Sequence, residues 1–210
     1  MKKIFFLILL SLFLVLEAAE KKPYVVNLPT VPKKIPVNQG NGVSKTCLST
    51  EEAKLVELVN KYRRSRGLPA LAAGRSLTHV AQAHVKDLMQ NRPAGGRCNM
   101  HSWSSKGKWT ACCYTRDHKQ AKCMWRKPQE LTSYRGNGFE IAYGSSRSRI
   151  TAASALKGWQ GSPGHNAVMT NSGMWKRPWG TMGVGLYGGY SVIWFGNEKD
   201  PAGVAPTCSR

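Results

Sequence analysis

Residues 159–169 read W-Q-G-S-P-G-H-N-A-V-M, a run that places a histidine where the backbone has little freedom. Proline fixes φ and glycine tolerates strained φ, so Ser162, Pro163 and Gly164 are expected to set a tight turn. His165 then falls in the first turn of the element that follows. Further on, residues 182–196 read M-G-V-G-L-Y-G-G-Y-S-V-I-W-F-G. Alternation around a Gly-Gly pair predicts two short strands, Met182–Tyr187 and Tyr190–Phe195, joined as a hairpin. The decisive stretch is therefore a positioned histidine feeding into an antiparallel sheet.

Upstream of it, Ile150–Trp159 has helical spacing with Ala155, Leu156 and Trp159 on the inner side. Before that, Gly138–Gly144 (G-F-E-I-A-Y-G) reads as a short strand that delivers Glu140. Near the start of the folded region, Ser49 with Glu52 makes a capping box. Leu55, Val56, Leu58, Val59 and Tyr62 then recur with helical period as far as Gly67. A second helix is predicted from about Ser76 to Gln90, with Leu77, Val80, Ala81, His84 and Leu88 on one face. On that apolar stripe His84 is expected to be a satisfied core histidine, and His79, off the stripe, to face water.

Between His101 and Glu140 lies a segment with its own character. It carries Cys112, Cys113 and Cys123 close after Cys98, and the aromatics Trp103, Trp109, Tyr114, Trp125 and Tyr134. From Ser104 to Arg135 it has eight Lys/Arg against two acids. No Cys-x-x-Cys pair is present, which favours disulfides over zinc in an oxidising compartment. Adjacent cysteines do not readily bond each other, so Cys112 and Cys113 each pair elsewhere, with Cys98 and Cys123 as the nearest candidates. Cys47 and Cys208 remain to close the domain end to end. The pairing among the inner four is not fixed by the sequence.

Residues 1–19 have two lysines, an apolar run from Ile4 to Leu16 and a small-residue end, the pattern of a secretory signal peptide. The run is shorter than the ~20 apolar residues of a spanning helix, so no transmembrane anchor is expected. Cleavage after Ala18 or Ala19 would export the chain to the periplasm or the medium. Residues 20–45, rich in proline and lysine, read as a linker. Taking Lys2, Lys3 and Glu17 from 31 basic and 11 acidic side chains leaves 29 against 10, a charge of +19. About 190 residues with 41% hydrophobic content suffice for one buried core. So one-sided a charge points to anionic partners: envelope polysaccharide, lipid or nucleic acid. No nucleic-acid-binding motif supports the last. Nor is there a G-x-S-x-G, an H-E-x-x-H or a phosphate-cradling glycine loop.

S-P-G-H-N-A-V-M, M-G-V-G-L-Y and V-I-W-F-G resemble C-terminal signatures of the CAP superfamily, which holds cysteine-rich secretory proteins, antigen 5 and plant pathogenesis-related proteins. His101-Ser102, Gly138–Ala142 and the helix around Leu55–Tyr62 follow the same family order. The resemblance spans roughly Thr46 to Gly196, within a domain set at 46–208 with a basic, cysteine-rich insertion at about 103–135. It implies an α+β fold, a three-layer α-β-α sandwich with a central antiparallel sheet, here stapled by disulfides.

The resemblance also implies a pocket of two histidines and two glutamates that binds zinc in some members. Carried over by motif, His101, Glu140 and His165 fill three places, as zinc ligands and as weak catalytic candidates. The second glutamate is missing: Gln160 is the nearest polar side chain, and Glu130 could enter only from the insertion. Glu140 lies 39 positions beyond His101, against almost none in familiar members. The alternative is that His101, Glu140 and His165 form a buried hydrogen-bonded cluster tying loops to the sheet. The function expected is an extracellular binding module for an anionic envelope component or lipid. A zinc-dependent hydrolase is the alternative, and an antimicrobial agent acting by charge alone a third.

Overall fold

The computed structural model describes residues 42–144 and 149–209. The expected signal peptide and most of the expected linker lie outside the described residues. Those that are described begin with a turn at Gly42–Lys45, held where Arg75 Nη1 donates to the Ser44 carbonyl at 2.8 Å.

Helix α1 (Thr50–Ser65) starts at the expected capping box: Ser49 accepts from the Glu52 amide, and the Glu52 carboxylate accepts from the Ser49 amide. Helix α2 (Arg75–Asn91) follows. Two short helices, α3 (Ala121–Trp125) and α4 (Lys127–Leu131), lie in the insertion. Strand β1 (Phe139–Gly144) leads to α5 (Ala152–Gln160), capped by Thr151. The Ser-Pro-Gly segment opens α6 (Pro163–Met169), with Pro163 in its first turn, where the missing amide costs no hydrogen bond. Strands β2 (Thr181–Tyr187) and β3 (Tyr190–Gly196) form the expected hairpin.

The sheet order is β1-β3-β2, antiparallel throughout. Glu140 stands opposite Trp194, and Ile141 opposite Ile193. Strand alternation sorts the side chains into two cores. Ile141, Met182, Val184, Ile193 and Phe195 pack with Leu55 and Val59 of α1, Trp159 of α5 and Met169 of α6. On the other face, Ala142, Val192 and Trp194 pack with Leu77, Val80 and Val85 of α2 and with Trp103, Met124 and Tyr134 of the insertion. This is an α-β-α sandwich, with the insertion completing the α2 layer.

The alternation in M-G-V-G-L-Y now has a reason. Met182 and Val184 face one core, and Gly183 and Gly185 face α2. A Cβ on Gly183 would stand 2.0 Å from the Leu77 carbonyl carbon, and one on Gly185 would stand 2.4 Å from the Ala81 carbonyl oxygen. The helix backbone lies directly on the strand, an approach only glycine permits.

All six cysteines pair: Cys47–Cys208, Cys98–Cys113 and Cys112–Cys123. The vicinal pair thus reaches one partner on each side, as expected. The Cys47–Cys208 bond closes a sequence separation of 161, which in the chain-entropy model stabilises by about 4–5 kcal/mol. The insertion is fastened to α2 by buried Asp87, which accepts from the Ser104 amide at 2.8 Å and the Ser104 hydroxyl at 2.5 Å. Lys127 is also buried, donating to Glu130 at 2.6 Å and lying 5.5 Å from the centre of the Trp103 ring.

Gly183→Ala should push α2 off the sheet and cost about 2–3 kcal/mol, since the clash is with backbone on both sides. Gly164→Ala, where a Cβ meets nothing within 4 Å, should leave the melting temperature within a degree or two or raise it. Thermal denaturation of the two variants beside wild type checks the contrast.

Candidate functional site

Strand β1 is at one edge of the sheet, and its alternation sends Glu140 toward the α2 layer, beside Ala142. The Glu140 side chain is fully enclosed, and so is His84, which projects from the middle of α2. A carboxylate out of water must be compensated by hydrogen bonds or opposite charge. Here both oxygens are: Oε1 pairs with His84 Nδ1, and Oε2 with His101 Nδ1 at 2.8 Å.

Each histidine is held on its other side as well. His84 Nε2 lies 3.0 Å from the Ser102 carbonyl, an oxygen that only accepts, so Nε2 carries a proton there. Nδ1 is thereby turned to the carboxylate, and the hydrogen bond between the two side chains lies wholly inside the core. The His84 ring stacks on Trp103, centroids 4.3 Å apart and 7° from parallel, and meets Trp194 edge-on. The indole N–H groups of Trp103 and Trp194 are buried without hydrogen-bond partners among the described residues, so they do not compete for the carboxylate. His101 is partly exposed and leans on the Tyr114 ring at 5.1 Å, and the Tyr114 hydroxyl meets His118 Nδ1 at 3.0 Å.

His165 is in the first turn of α6, half-buried, close enough for its titration to feel both His101 and Glu140. Among the described residues its ring makes no hydrogen bond. Burial lowers its pKa, the charge of His101 adds to that, and Glu140 opposes both. Burial alone would push the Glu140 carboxyl up. The charges and hydrogen bonds of His84 and His101 outweigh it and hold the group below the ordinary carboxylate value.

The structure thus brings His101 and Glu140 into direct contact and sets His165 within electrostatic reach. His84, expected to be a satisfied core histidine, is one, and it is also the closest partner of Glu140. Nothing in the sequence joined two residues 56 positions apart, though a carboxylate on a buried strand demands a donor, and a histidine on an apolar stripe is one. Two other expectations are corrected. His79 does not simply face water: it is half-buried, with its pKa lowered by burial and by Lys86, and its Nδ1 lies 3.4 Å from the Thr46 hydroxyl. Glu130 does not enter the site, because its carboxylate is taken by the Thr110 amide and by Lys127 inside the insertion. Gln160 is exposed at the end of α5.

Zinc held by His101, Glu140 and His165 needs a Glu140 oxygen free to approach it at about 2.0–2.2 Å. Both oxygens already pair with histidine. Among the described residues no group of three or more His, Cys, Asp or Glu is placed to hold a metal ion. The residues as placed do not fit the three-ligand site. What the arrangement does is fix the orientation of two imidazoles, leaving His101 Nε2 and the His165 ring uncommitted, and it offers no free carboxylate as a base.

A disulfide-closed α-β-α sandwich with a His/Glu cluster on its edge strand defines the class of protein, and the sequence agrees. Residues 56–176 match the model of the CAP family, described as the cysteine-rich secretory protein family, and the chain belongs to it. No curated protein matches the chain. Solved structures similar to it include an extracellular protein containing an SCP domain from Bacillus anthracis, at 20% identity and a TM-score of 0.49. An outer surface protein from Borrelia burgdorferi has 16% identity and a TM-score of 0.49. A cysteine-rich secretory protein from Staphylococcus aureus has 17% and 0.43. The alignments cover 70%, 71% and 70% of this chain, and 40%, 93% and 38% of those proteins in the same order. Among the described residues no helix is long and apolar enough to cross a membrane.

Acidification should destabilise the fold in two stages. His165 has a lowered folded pKa, so the unfolded chain takes up its proton first as pH falls through about 6.5, and stability drops there. Glu140 is also lowered, so its contribution is complete above the unfolded carboxylate pKa and is lost as pH falls through its folded value. Urea denaturation at neutral, mildly acidic and strongly acidic pH should show both losses. Glu140→Gln should cost about 3–5 kcal/mol at neutral pH and remove the second stage, because it breaks a fully buried pair.

Proposed function

We propose that this chain is an exported CAP-domain binding module whose basic surface engages an anionic component of a cell envelope, polysaccharide or lipid. The observation that carries it is the imbalance of charge at the surface. Among the described residues Lys54, Lys119, Lys127 and Arg177 are the Lys/Arg side chains in ion pairs with acids, and the rest of a large basic excess faces solvent or neutral groups. A field of that sign draws polyanions and is weakened by salt. Export is supported by the signal-like residues 1–19 and by three disulfides, bonds that persist in oxidising compartments.

The zinc-hydrolase alternative asks Glu140 to serve a metal as well as the two histidines its oxygens already meet. The binding function makes the cluster a fastening between α2, the insertion loop and β1, while the exposed surface meets the ligand.

Retention on dextran sulfate beads or on phosphatidylglycerol vesicles should fall steeply with salt and be unchanged in His101→Ala/His165→Ala. Absence of binding to both surfaces at low salt overturns the function. So does one equivalent of zinc in purified wild type that is lost from the double variant together with a hydrolytic activity.

A further inference from the structure

The insertion encloses a concavity of about 790 Å³ lined by Arg97, Arg116 and Lys119, with Asp117 as its one acid. Its floor is covalently fixed, since Cys112, Cys113 and Cys123 line it and belong to the two inner disulfides. The acid is already satisfied. Asp117 accepts from the Thr115 hydroxyl and from the Lys119 amide at 3.3 Å, and pairs with the Lys119 ammonium at 3.3 Å. That leaves the guanidinium groups of Arg97 and Arg116 exposed, with no hydrogen bond or ion pair among the described residues.

We propose that this concavity is the docking site for an acidic polysaccharide, gripped by Arg97 and Arg116 through carboxylate, sulfate or phosphate groups carried on the sugars. It rests on the anion-binding function proposed above and says where on the molecule that function resides. Guanidinium matches such groups in a planar, two-pronged geometry, and each pairing is stronger than one between neutral groups. A disulfide-fixed floor means that little ordering remains to be done on binding. The lining also separates the candidate ligands. Among the described residues Ala111 is its one aliphatic side chain, so they form no apolar wall to take an acyl chain. Among the described residues no aromatic ring lines it, so they offer no platform on which bases could stack.

The test uses the full, oxidised protein and dextran sulfate as probe, with calorimetric titration over a salt series. Arg97→Ser/Arg116→Ser should weaken binding roughly tenfold or more, because two charge-assisted contacts are lost. Arg97→Lys/Arg116→Lys, which keeps the charge and loses the fork, should fall between that variant and wild type. Lys61→Ser/Lys157→Ser removes the same charge from exposed positions on α1 and α5, in the layer across the sheet. It should change affinity by about twofold or less. Equal losses from the arginine and lysine pairs overturn the site and leave the binding function standing. A greater arginine effect on phosphatidylglycerol vesicles or oligothymidine than on dextran sulfate overturns the polysaccharide. Failure of wild type to bind dextran sulfate or the vesicles at low salt overturns function and site together.

Discussion

A carboxylate sealed on the inner face of an edge strand imposes conditions on everything around it. Glu140 has no water to turn to, so two donors must be brought to it from different parts of the chain. One comes from α2, which can reach only because Gly183 and Gly185 let the helix backbone lie on β2. The other comes from the loop that opens the insertion, held by the Ser102 carbonyl, the Ser104–Asp87 contacts and the stacking of Trp103 on His84. Strand, helix and insertion are thereby registered against one another at a polar cluster inside a largely apolar core.

That arrangement also accounts for where chemistry is and is not available. The cluster spends its polarity on itself: the carboxylate is fully paired, and the one deeply buried imidazole is engaged at both nitrogens. Reactivity in such a cluster is traded for rigidity. The unspent charge of the molecule lies elsewhere, on lysines and arginines of the surface and of the insertion.

The elements legible from sequence were those whose cause is local. The capping box at Ser49 and Glu52, the period of α1 and α2, and the strand–Gly-Gly–strand pattern each depend on residues a few positions apart, and each formed within a residue or two of its expected span. His165 was legible for the same reason, since Pro163 sets the start of α6. What could not be read depends on distance. The meeting of His84 with Glu140 follows from the packing of α2 on the sheet, and the choice of Cys98–Cys113 with Cys112–Cys123 follows from how the insertion folds back. Glu130 stays out of the site because Lys127, one turn earlier in chain order, is buried beside it and pairs with it.

The Cys47–Cys208 bond has a consequence of a mechanical kind. The Cα atoms of its two cysteines are 5.0 Å apart, while a sequence separation of 161 lies between them. Tension applied between a point before Cys47 and a point after Cys208 crosses one covalent link and bypasses the sandwich. Strung in a longer tether or pulled between two surfaces, the folded unit behaves as a bead threaded beside the line of force, and the bead bears none of the load.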